Sequence, residues 1–295
     1  MLLKNYKTTF LHELSSLYDE KEIESFFYLI LEKLHGLKRI DLALKPETVI
    51  DGIHLKQWKS IVSDLKSYKP IQYILGETEF YGLPFLVNEN VLIPRPETEE
   101  MVELILKEEA RGNRQEAIVR ILDVGTGSGC IPIALKKNLP NAEVYAIDIS
   151  EKALATARKN GELNDVKVNF INVDILKIND LKQLLTSNFQ LPTFFDIIVS
   201  NPPYVRNLEK AEINPNVLEF EPHLALFVED NDALLFYRKI TELAQKNLTS
   251  SGKLYFEINQ YLGKETVALV ESFGFKNVTL IKDIYGNERM ISAAL

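Results

Sequence analysis

The first seventy residues have the pattern of amphipathic helices. Apolar residues recur three and four positions apart, a spacing that places them on one side of a helix. These residues are Leu11, Leu14, Leu17, Ile23, Phe26, Phe27, Ile30, Leu31 and Leu34. Asp19 is a suitable N-cap for the second helix. A third helix is predicted to start near Pro46 and run towards Tyr68, with Pro70 ending it. We therefore expect a small helical domain over residues 1–70.

Residues 71–97 have a different pattern, rich in β-branched and aromatic side chains. Turn residues interrupt it at Gly76, at Gly82–Pro84 and at Asn88–Asn90. Such a pattern predicts a β-hairpin or a short meander. We expect it to connect the helical domain to a second domain whose first helix begins at about Thr98.

Beyond the polar stretch Glu108–Gln115, apolar runs alternate with amphipathic helices to the end of the chain. The runs Val144–Ile147 and Ile197–Val199 are apolar throughout, as in strands that are covered on both faces. This alternation predicts an α/β domain over residues 98–295, with a doubly wound, mostly parallel sheet. The predicted strands are Ile118–Val124, Glu143–Ile147, Val166–Ile171, Phe195–Ser200, Lys253–Ile258, Val278–Ile281 and Arg289–Ala293. The predicted helices are Ile131–Asn138, Glu151–Asn160, Ala233–Leu248 and Tyr261–Phe273.

Charge and composition narrow the class of protein. The chain of 295 residues has 34 basic and 42 acidic side chains, a net charge of −8, and so lacks the overall positive charge typical of nucleic-acid-binding proteins. Cys130 is the single cysteine and the four histidines are scattered, so the sequence predicts neither a disulfide nor a metal site. No apolar run has the length of a membrane span, and the N-terminus becomes polar too soon for a signal peptide. We expect a cytoplasmic protein, monomeric by default, with no direct binding to nucleic acid or membrane.

A glycine-rich turn follows the first predicted strand of the sheet. It consists of Gly125, Thr126, Gly127, Ser128 and Gly129. Glycines let the chain turn tightly, and they bring backbone N–H groups close to a ligand at a helix N-terminus. The G-x-G-x-G spacing differs from the G-x-G-x-x-G of dinucleotide sites, which argues against a nicotinamide dehydrogenase. Asp123, just before the turn, suits a cationic or zwitterionic ligand such as S-adenosylmethionine.

Acidic residues end the second and third strands. Asp148 would accept hydrogen bonds from both ribose hydroxyls of an adenosine cofactor. Asp174, followed by Ile175, would contact the adenine amino group, and a loop-capping aspartate is an equally good interpretation of Asp174. We count all three residues as expected cofactor contacts.

The fourth strand ends in Asn201, Pro202, Pro203 and Tyr204, hereafter the NPPY loop. In a sheet of order 3-2-1-4-5 the first and fourth strands are neighbours, so this loop would lie beside the glycine-rich turn. The Asn201 side-chain oxygen and the Pro202 carbonyl would each accept one N–H of a planar amino group and orient its nitrogen. Tyr204 would stack on that group. We expect Asn201, Pro202 and Tyr204 to be catalytic, all four residues to bind substrate, and Asn201 to contact the cofactor as well.

These motifs resemble known proteins. The glycine-rich turn with Asp148 resembles class I S-adenosylmethionine-dependent methyltransferases, and the NPPY loop resembles their amino-methylating subset. The match is closer to the PrmC/HemK family, the glutamine N5-methyltransferases of class 1 peptide chain release factors. Further segments that carry the resemblance are PIQYILG from Pro70, FYG from Phe80, LIPRPETE from Leu92, IDIS from Ile147 and EPHLAL from Glu221. The resemblance covers roughly residues 70–292.

The resemblance implies a substrate, a cofactor and a partner. The substrate would be the glutamine of the Gly-Gly-Gln motif of a release factor, with S-adenosylmethionine converted to S-adenosylhomocysteine. It also implies that the helical domain helps to dock the release factor and that the LIPRPETE segment closes over the cofactor. It gives no role to Arg95 or Glu97. Where the family pattern is E-x-G-x-x-Q, this chain departs from it with Glu257, Ile258, Asn259 and Gln260.

Two other functions remain open on the sequence. A nucleic-acid methyltransferase acting on adenine N6 or guanine N2 would use the same NPPY chemistry, although the acidic net charge argues against it. A protein that binds S-adenosylmethionine without turnover would leave the NPPY loop idle.

Overall fold

The chain is divided into two compact units in a computed structural model that describes residues 1–111, 118–184 and 191–295. The first unit consists of Met1–Gly76 with Asn214–Phe220, and the second of Glu77–Ile213 with Glu221–Leu295. The sequence placed the end of the helical domain at residue 70. The first unit continues to Gly76 because a short helix follows Pro70 and buries Ile71 in the helical core. The predicted polar stretch Glu108–Gln115 extends past Arg111, outside the described residues.

The helices follow the predicted apolar pattern in most places. The α-helices are α1 (Leu3–Leu14), α2 (Glu20–His35), α3 (Arg39–Leu44), α4 (Gly52–Lys66), α5 (Ile71–Leu75), α6 (Pro96–Arg111), α7 (Cys130–Asn138), α8 (Glu151–Leu163), α9 (Pro215–Phe220), α10 (His223–Leu226), α11 (Leu235–Asn247) and α12 (Gly263–Ser272). Short 3-10 turns occur at Ile175–Lys177, Leu181–Leu184, Asn207–Glu212 and Asp230–Asp232. No helix among the described residues is long and apolar enough to cross a membrane.

An aromatic core holds the helical unit together. Trp58 of α4 is fully buried, with the rings of Tyr6, Phe10 and Phe27 from α1 and α2 around it at centroid distances of 5.0–5.5 Å. The predicted cap is confirmed, because the Asp19 side chain accepts the backbone N–H groups of the first turn of α2.

The start predicted for the third helix of this unit, near Pro46, was wrong. Residues 45–51, between α3 and α4, are not helical, and α4 begins only at Gly52. The Asp51 carboxylate fixes this start by accepting the backbone N–H groups of Ile53 and His54 at 2.9 and 2.8 Å.

The second unit is built on a seven-stranded sheet of order β5-β4-β3-β6-β9-β11-β10. The strands in the described part of the chain are β1 (Glu77–Phe80), β2 (Leu83–Leu86), β3 (Arg120–Val124), β4 (Glu143–Asp148), β5 (Asn169–Asn172), β6 (Phe195–Ser200), β7 (Val205–Arg206), β8 (Phe227–Val228), β9 (Leu248–Glu257), β10 (Lys276–Lys282) and β11 (Glu288–Ala294). The first five strands in this order pair in parallel, and β11 pairs antiparallel with both β9 and β10. The predicted doubly wound, mostly parallel sheet is confirmed, including the 3-2-1-4-5 order of its parallel part.

Helices cover both faces of this sheet. On β6, Ile198 packs on one side with Tyr237 and Ile240 of α11, while its neighbours Ile197 and Val199 pack on the other side with α6 and α7. This is why the strands are apolar throughout. The polar residues that follow the strands are left at the carboxyl edge of the sheet.

The segment before α6 is only partly the predicted hairpin. Strands β1 and β2 pair antiparallel, as predicted, around a turn at Tyr81 and Gly82. Residues Ile71–Leu75, which were expected to be extended, form α5 instead. Gly76 ends this helix with a left-handed backbone, φ +74°.

Candidate active site

A cavity of about 250 Å³ opens at the carboxyl edge of the sheet. Two elements that are far apart in the sequence, the glycine-rich turn after β3 and the NPPY loop after β6, both line it. The predicted site residues in its lining are Gly125, Thr126, Gly127, Ser128, Asp148, Asp174, Ile175, Asn201, Pro202 and Pro203. Gly129 and Tyr204 are not part of the lining.

The glycine-rich turn is fixed against the end of β4. The N–H groups of Gly125 and Thr126 donate to the Ile147 carbonyl at 2.9 and 3.1 Å. Gly129 has a φ of +81°, and a Cβ there would lie 3.0 Å from Ile133 and 3.1 Å from Ala157. Gly129 therefore serves the close packing of α7 on α8, behind the cavity.

Asp148 lies at the end of β4, where backbone donors hold its carboxylate. Oδ2 accepts the Gly127 N–H and Oδ1 accepts the Ser150 N–H, both at 2.8 Å. Burial raises the pKa of Asp148, and these backbone hydrogen bonds oppose the rise. Each carboxylate oxygen has a second lone pair, so both ribose hydroxyls of an adenosine can be accepted in the same geometry.

Asp123 lies beneath the glycine-rich turn and is completely buried. Its two carboxylate oxygens have no hydrogen-bond partner among the described residues. Burial raises its pKa to about 7. A buried carboxyl group without a partner is costly, and a positively charged ligand nearby would lower that cost.

The residues present therefore fit S-adenosylmethionine. Asp148 suits the ribose, and the N–H groups of the glycine-rich turn suit a carboxylate tail. Asp123, which the sequence offered for a cationic ligand, does not line the cavity. Ile175 and Ile149 offer apolar contact to a planar base. Ile149 was missed in the sequence, although an exposed apolar residue directly after a strand-end acid is a usable signal.

Asp174 has the loop-capping role that the sequence offered, and it also lies at the cavity. Its Oδ1 accepts the Leu176 N–H at 3.0 Å and so caps a 3-10 turn, while Oδ2 is 3.1 Å from the Lys177 ammonium. The same residue lines the cavity.

The NPPY loop is tied to its neighbours by polar contacts. Asn201 Nδ2 donates to Thr98 Oγ1 at 3.3 Å, and the Tyr204 hydroxyl donates to Glu257 Oε1 at 3.0 Å. Asn201 thus borders the cavity, whereas Tyr204 packs its ring into the core on the α11 side of the sheet. The stacking role expected for Tyr204 has no counterpart in the cavity lining. Thr98 and Glu257 were not among the predicted site residues, although both lie in segments that carry the resemblance or depart from it.

Asn259, where this chain departs from the family pattern, adds further hydrogen bonds to the NPPY loop. Asn259 Nδ2 donates to the Tyr204 carbonyl at 3.0 Å and to Glu209 Oε2 at 2.9 Å. The side chain that stands where the family pattern has glycine is buried, and it braces the NPPY loop.

The LIPRPETE segment runs along the mouth of the cavity. Leu92, Pro94 and Arg95 line it. The Ile93 N–H donates to Glu221 Oε2 at 3.1 Å, and the Arg95 guanidinium pairs with Glu221 Oε1. Glu221, which is buried, thereby fastens the segment in place.

Comparison with known proteins identifies both units. Residues 8–76 match the PrmC N-terminal domain, and residues 106–219 match the Methyltransferase small domain. Among solved structures, the catalytic domain of hMettl16 in complex with a MAT2A 3′UTR hairpin is similar, with a TM-score of 0.51 at 17% identity over 83% of this chain and 81% of that one. At this identity the likeness shows the methyltransferase fold alone.

Curated relatives are similar over the whole chain. Release factor glutamine methyltransferase of Flavobacterium psychrophilum is 65% identical, covering 99% of this chain and 98% of the relative. The proteins of the same name from Bacteroides thetaiotaomicron and Streptococcus pneumoniae are 44% and 40% identical, with 95% and 99% of this chain covered and 95% and 98% of the relatives. With such relatives, and with the glycine-rich turn and the NPPY loop on one cavity, this chain belongs to the release factor glutamine methyltransferase family, the PrmC/HemK family that its motifs resemble.

Proposed function

We propose that this protein transfers the methyl group of S-adenosylmethionine to the side-chain amide nitrogen of the glutamine in the Gly-Gly-Gln motif of class 1 release factors. The observation that supports the proposal is a single cavity lined by Asp148 at the end of β4 and by Asn201 and Pro202 after β6. In this proposal Asp148 would bind the nucleoside, and Asn201 and Pro202 would bind the amide. The names of the curated relatives support the choice of substrate.

The chemistry depends on orienting a weak nucleophile. The lone pair of an amide nitrogen is delocalised, so the nitrogen must be held on the axis of the methyl group that S-adenosylmethionine supplies. Asn201 Oδ1 and the Pro202 carbonyl would each accept one N–H of the substrate amide. Both acceptors stabilise the positive charge that develops on nitrogen during transfer. No strong base is required if the proton leaves after the methyl group has been transferred.

The remaining residues hold the cofactor and close the site. Gly125, Thr126, Gly127 and Ser128 would surround the amino-acid end, and Asp148 the ribose. Asp174 and Ile175 would lie at the adenine. Gly129 contributes through packing, and Pro203 shapes the wall of the cavity. Tyr204 supports the loop through Glu257 and would not itself touch the substrate amide.

The partner follows from the substrate. We propose a monomeric enzyme that binds release factors in the cytoplasm, where translation ends, and that has no direct contact with nucleic acid. The net charge of −8 supports the last point, because a nucleic-acid methyltransferase needs a positive surface for phosphates.

The test is methyl transfer from labelled S-adenosylmethionine to three substrates offered in parallel: a release factor, DNA and RNA. We expect label on the release factor alone, and peptide mass spectrometry should place it on the glutamine of Gly-Gly-Gln. A release factor whose glutamine is replaced by alanine is the matched control and should remain unlabelled. Label on DNA or RNA would favour the nucleic-acid alternative, and cofactor binding without transfer would favour a binding protein.

A further inference from the structure

A chain of hydrogen bonds lies beneath the NPPY loop and joins three distant parts of the sequence. Asn201 Nδ2 donates to Thr98 Oγ1 at 3.3 Å, and the Thr98 hydroxyl donates to Glu257 Oε2 at 2.6 Å. The Tyr204 hydroxyl reaches the other oxygen of Glu257. Thr98 is 2% exposed and Glu257 1% exposed, so water does not compete for these bonds.

The direction of each donor in this chain is determined by Glu257. Both of its oxygens accept, Oε2 from the Thr98 hydroxyl and Oε1 from the Tyr204 hydroxyl. Burial raises the pKa of Glu257, whereas the Thr98 and Tyr204 hydroxyls and the positive charge of Arg289 counter the rise. Burial also raises the pKa of Tyr204, which keeps its hydroxyl protonated and able to donate.

The orientation of the Asn201 amide follows from this direction. A hydroxyl has one proton, and that of Thr98 is used on Glu257, so Thr98 Oγ1 can only accept from Asn201. If the Asn201 amide were rotated by 180°, its Oδ1 would face Thr98 Oγ1, whose proton is already donated to Glu257, and no hydrogen bond would form. These hydrogen bonds therefore direct Asn201 Nδ2 to Thr98 and leave Asn201 Oδ1 as the acceptor for the substrate.

We propose that Thr98 and Glu257 are positioning residues for methyl transfer, and that they hold the Asn201 side chain with its oxygen towards the amide nitrogen of the substrate glutamine. This inference rests on the proposed function, because it assumes that Asn201 binds the reacting amide. Neither residue needs to touch the reacting atoms.

A double-mutant cycle on Thr98 and Asn201 tests the proposal, with the release factor as substrate. Thr98→Val removes the hydroxyl at nearly constant volume and should lower kcat about 10- to 100-fold, since a misplaced reacting group costs rate on this scale. The KM for the release factor and the Kd for S-adenosylmethionine should each change less than about threefold. Asn201→Ala should lower kcat about 10²- to 10³-fold, as for the loss of a preorganised acceptor.

The decisive measurement is the double variant. Once Asn201→Ala has removed the amide, there is nothing left for Thr98 to orient, so Thr98→Val should cause no further loss of kcat. A general structural role of Thr98 would instead reduce kcat by the same factor in both backgrounds. Thr98→Ser, which keeps the hydroxyl, should retain kcat within about threefold of the wild type.

Matched controls separate positioning from folding. Thr266→Val removes the hydroxyl of another buried threonine of the second unit, which donates to the Leu262 carbonyl on α12, and should leave kcat unchanged. The Tm and the cofactor Kd report whether each variant is folded. Thr98→Ala leaves room for a water beside Glu257, and it replaces Thr98→Val in the cycle if the valine variant does not fold.

The outcomes distinguish this inference from the proposed function. A wild-type protein that transfers no methyl group to the release factor overturns the proposed function, and the inference with it, before any variant is compared. If the wild type is active, the inference alone is overturned by a Thr98→Val variant with unchanged kcat. It is equally overturned by a loss of kcat that is the same with and without Asn201.

Discussion

At the scale of a residue, Asp123 and Asp148 on the neighbouring strands β3 and β4 differ in the hydrogen bonds that their carboxyl groups receive. Asp148 is held by two backbone N–H groups, whereas Asp123 is buried without a partner among the described residues. The first is therefore an organised acceptor, and the second is a charge that the fold disfavours. The register of β3 and β4 puts both side chains on the same side of the sheet. The difference comes from position along the strand, because Asp148 ends β4 beside free backbone N–H groups, whereas Asp123 lies within β3.

Asp148→Ala should weaken S-adenosylmethionine binding by roughly 1.5–3 kcal/mol, the scale for loss of hydrogen bonds to a charged acceptor. Calorimetric titration measures the effect. Glu151→Ala is a matched control because it removes one negative charge from the next helix without altering the cavity lining. An affinity equal to that of the wild type would remove Asp148 from the proposed cofactor site.

Asp123→Asn should change how the stability of the ligand-free protein depends on pH. The folded pKa of Asp123, about 7, lies above the ordinary value of 3.8 for a solvated carboxyl group, so the folded state keeps a proton that the unfolded state has released. The wild type therefore loses stability as pH rises from about 4 to about 7, by an amount on the order of 4 kcal/mol. Asparagine does not titrate and lacks this loss.

Urea denaturation of both proteins from pH 4 to pH 8 measures the difference. The free energy of unfolding of Asp123→Asn, relative to the wild type, should rise across this range and level off above pH 7. A difference that stays constant with pH would show that Asp123 titrates normally.

At the scale of elements, the contact between α7 and α8 depends on one glycine. Gly129 combines a φ of +81° with a Cβ position only 3.0 and 3.1 Å from the side chains of Ile133 and Ala157. The glycine-rich turn and the helix that follows it can therefore pack close to α8. Spacing in the sequence located the turn, but it did not distinguish glycines that line the cavity from the one that permits packing.

Gly129→Ala should lower the free energy of unfolding by about 2–4 kcal/mol, the sum of backbone strain and overpacking. Gly274→Ala is the matched control, since its φ is +86° but nothing lies within 4 Å of its Cβ position, so only the strain remains. Denaturation midpoints of the two variants give the packing contribution by difference. Equal losses would show that α7 and α8 do not meet closely at Gly129.

At the scale of the whole molecule, the helical unit has apolar side chains that lie outside its core and are exposed. Ile40 and Leu44 lie one turn apart on α3 and are 61% and 72% exposed. We propose that they belong to the docking surface for the release factor. Point substitutions suit this test better than a deletion, because Asn214–Phe220 groups with the helical unit and would lose its partners in a truncated chain.

The pair Ile40→Lys and Leu44→Lys should raise the KM for the release factor about 10-fold or more, since two apolar contacts would be replaced by charges. Both kcat and the cofactor Kd should stay within about twofold, because the cavity belongs to the second unit. Leu163→Lys is the control, as Leu163 is 49% exposed on the second unit. An unchanged KM would place docking elsewhere.

The sequence by itself determined the features that depend on neighbouring residues. The alternation of apolar runs and amphipathic helices predicted the parallel sheet, because neighbouring parallel strands need a crossover, usually a helix, between them. The 3-2-1-4-5 order was the doubly wound order adopted for such a sheet. The glycine-rich turn, Asp148 and the NPPY loop were recognisable because backbone conformation and strand ends are local properties. The predicted start of α4 and the extended conformation predicted at α5 were wrong, because Asp51 and a left-handed Gly76 set helix ends that the apolar pattern does not mark. Strand β5 begins at Asn169 rather than Val166, and the short helices α3, α9 and α10 were not predicted.

Only the tertiary structure decided how the side chains around these motifs are paired. Thr98 lies 103 positions from Asn201 and 159 from Glu257, and their contact depends on how α6 packs beside the ends of β6 and β9. The isolation of Asp123 and the tie from Asn259 to Tyr204 likewise arise from packing across the sheet. A local pattern places a residue on an element, but hydrogen bonds between elements are set by register and close packing, which no single segment of sequence contains.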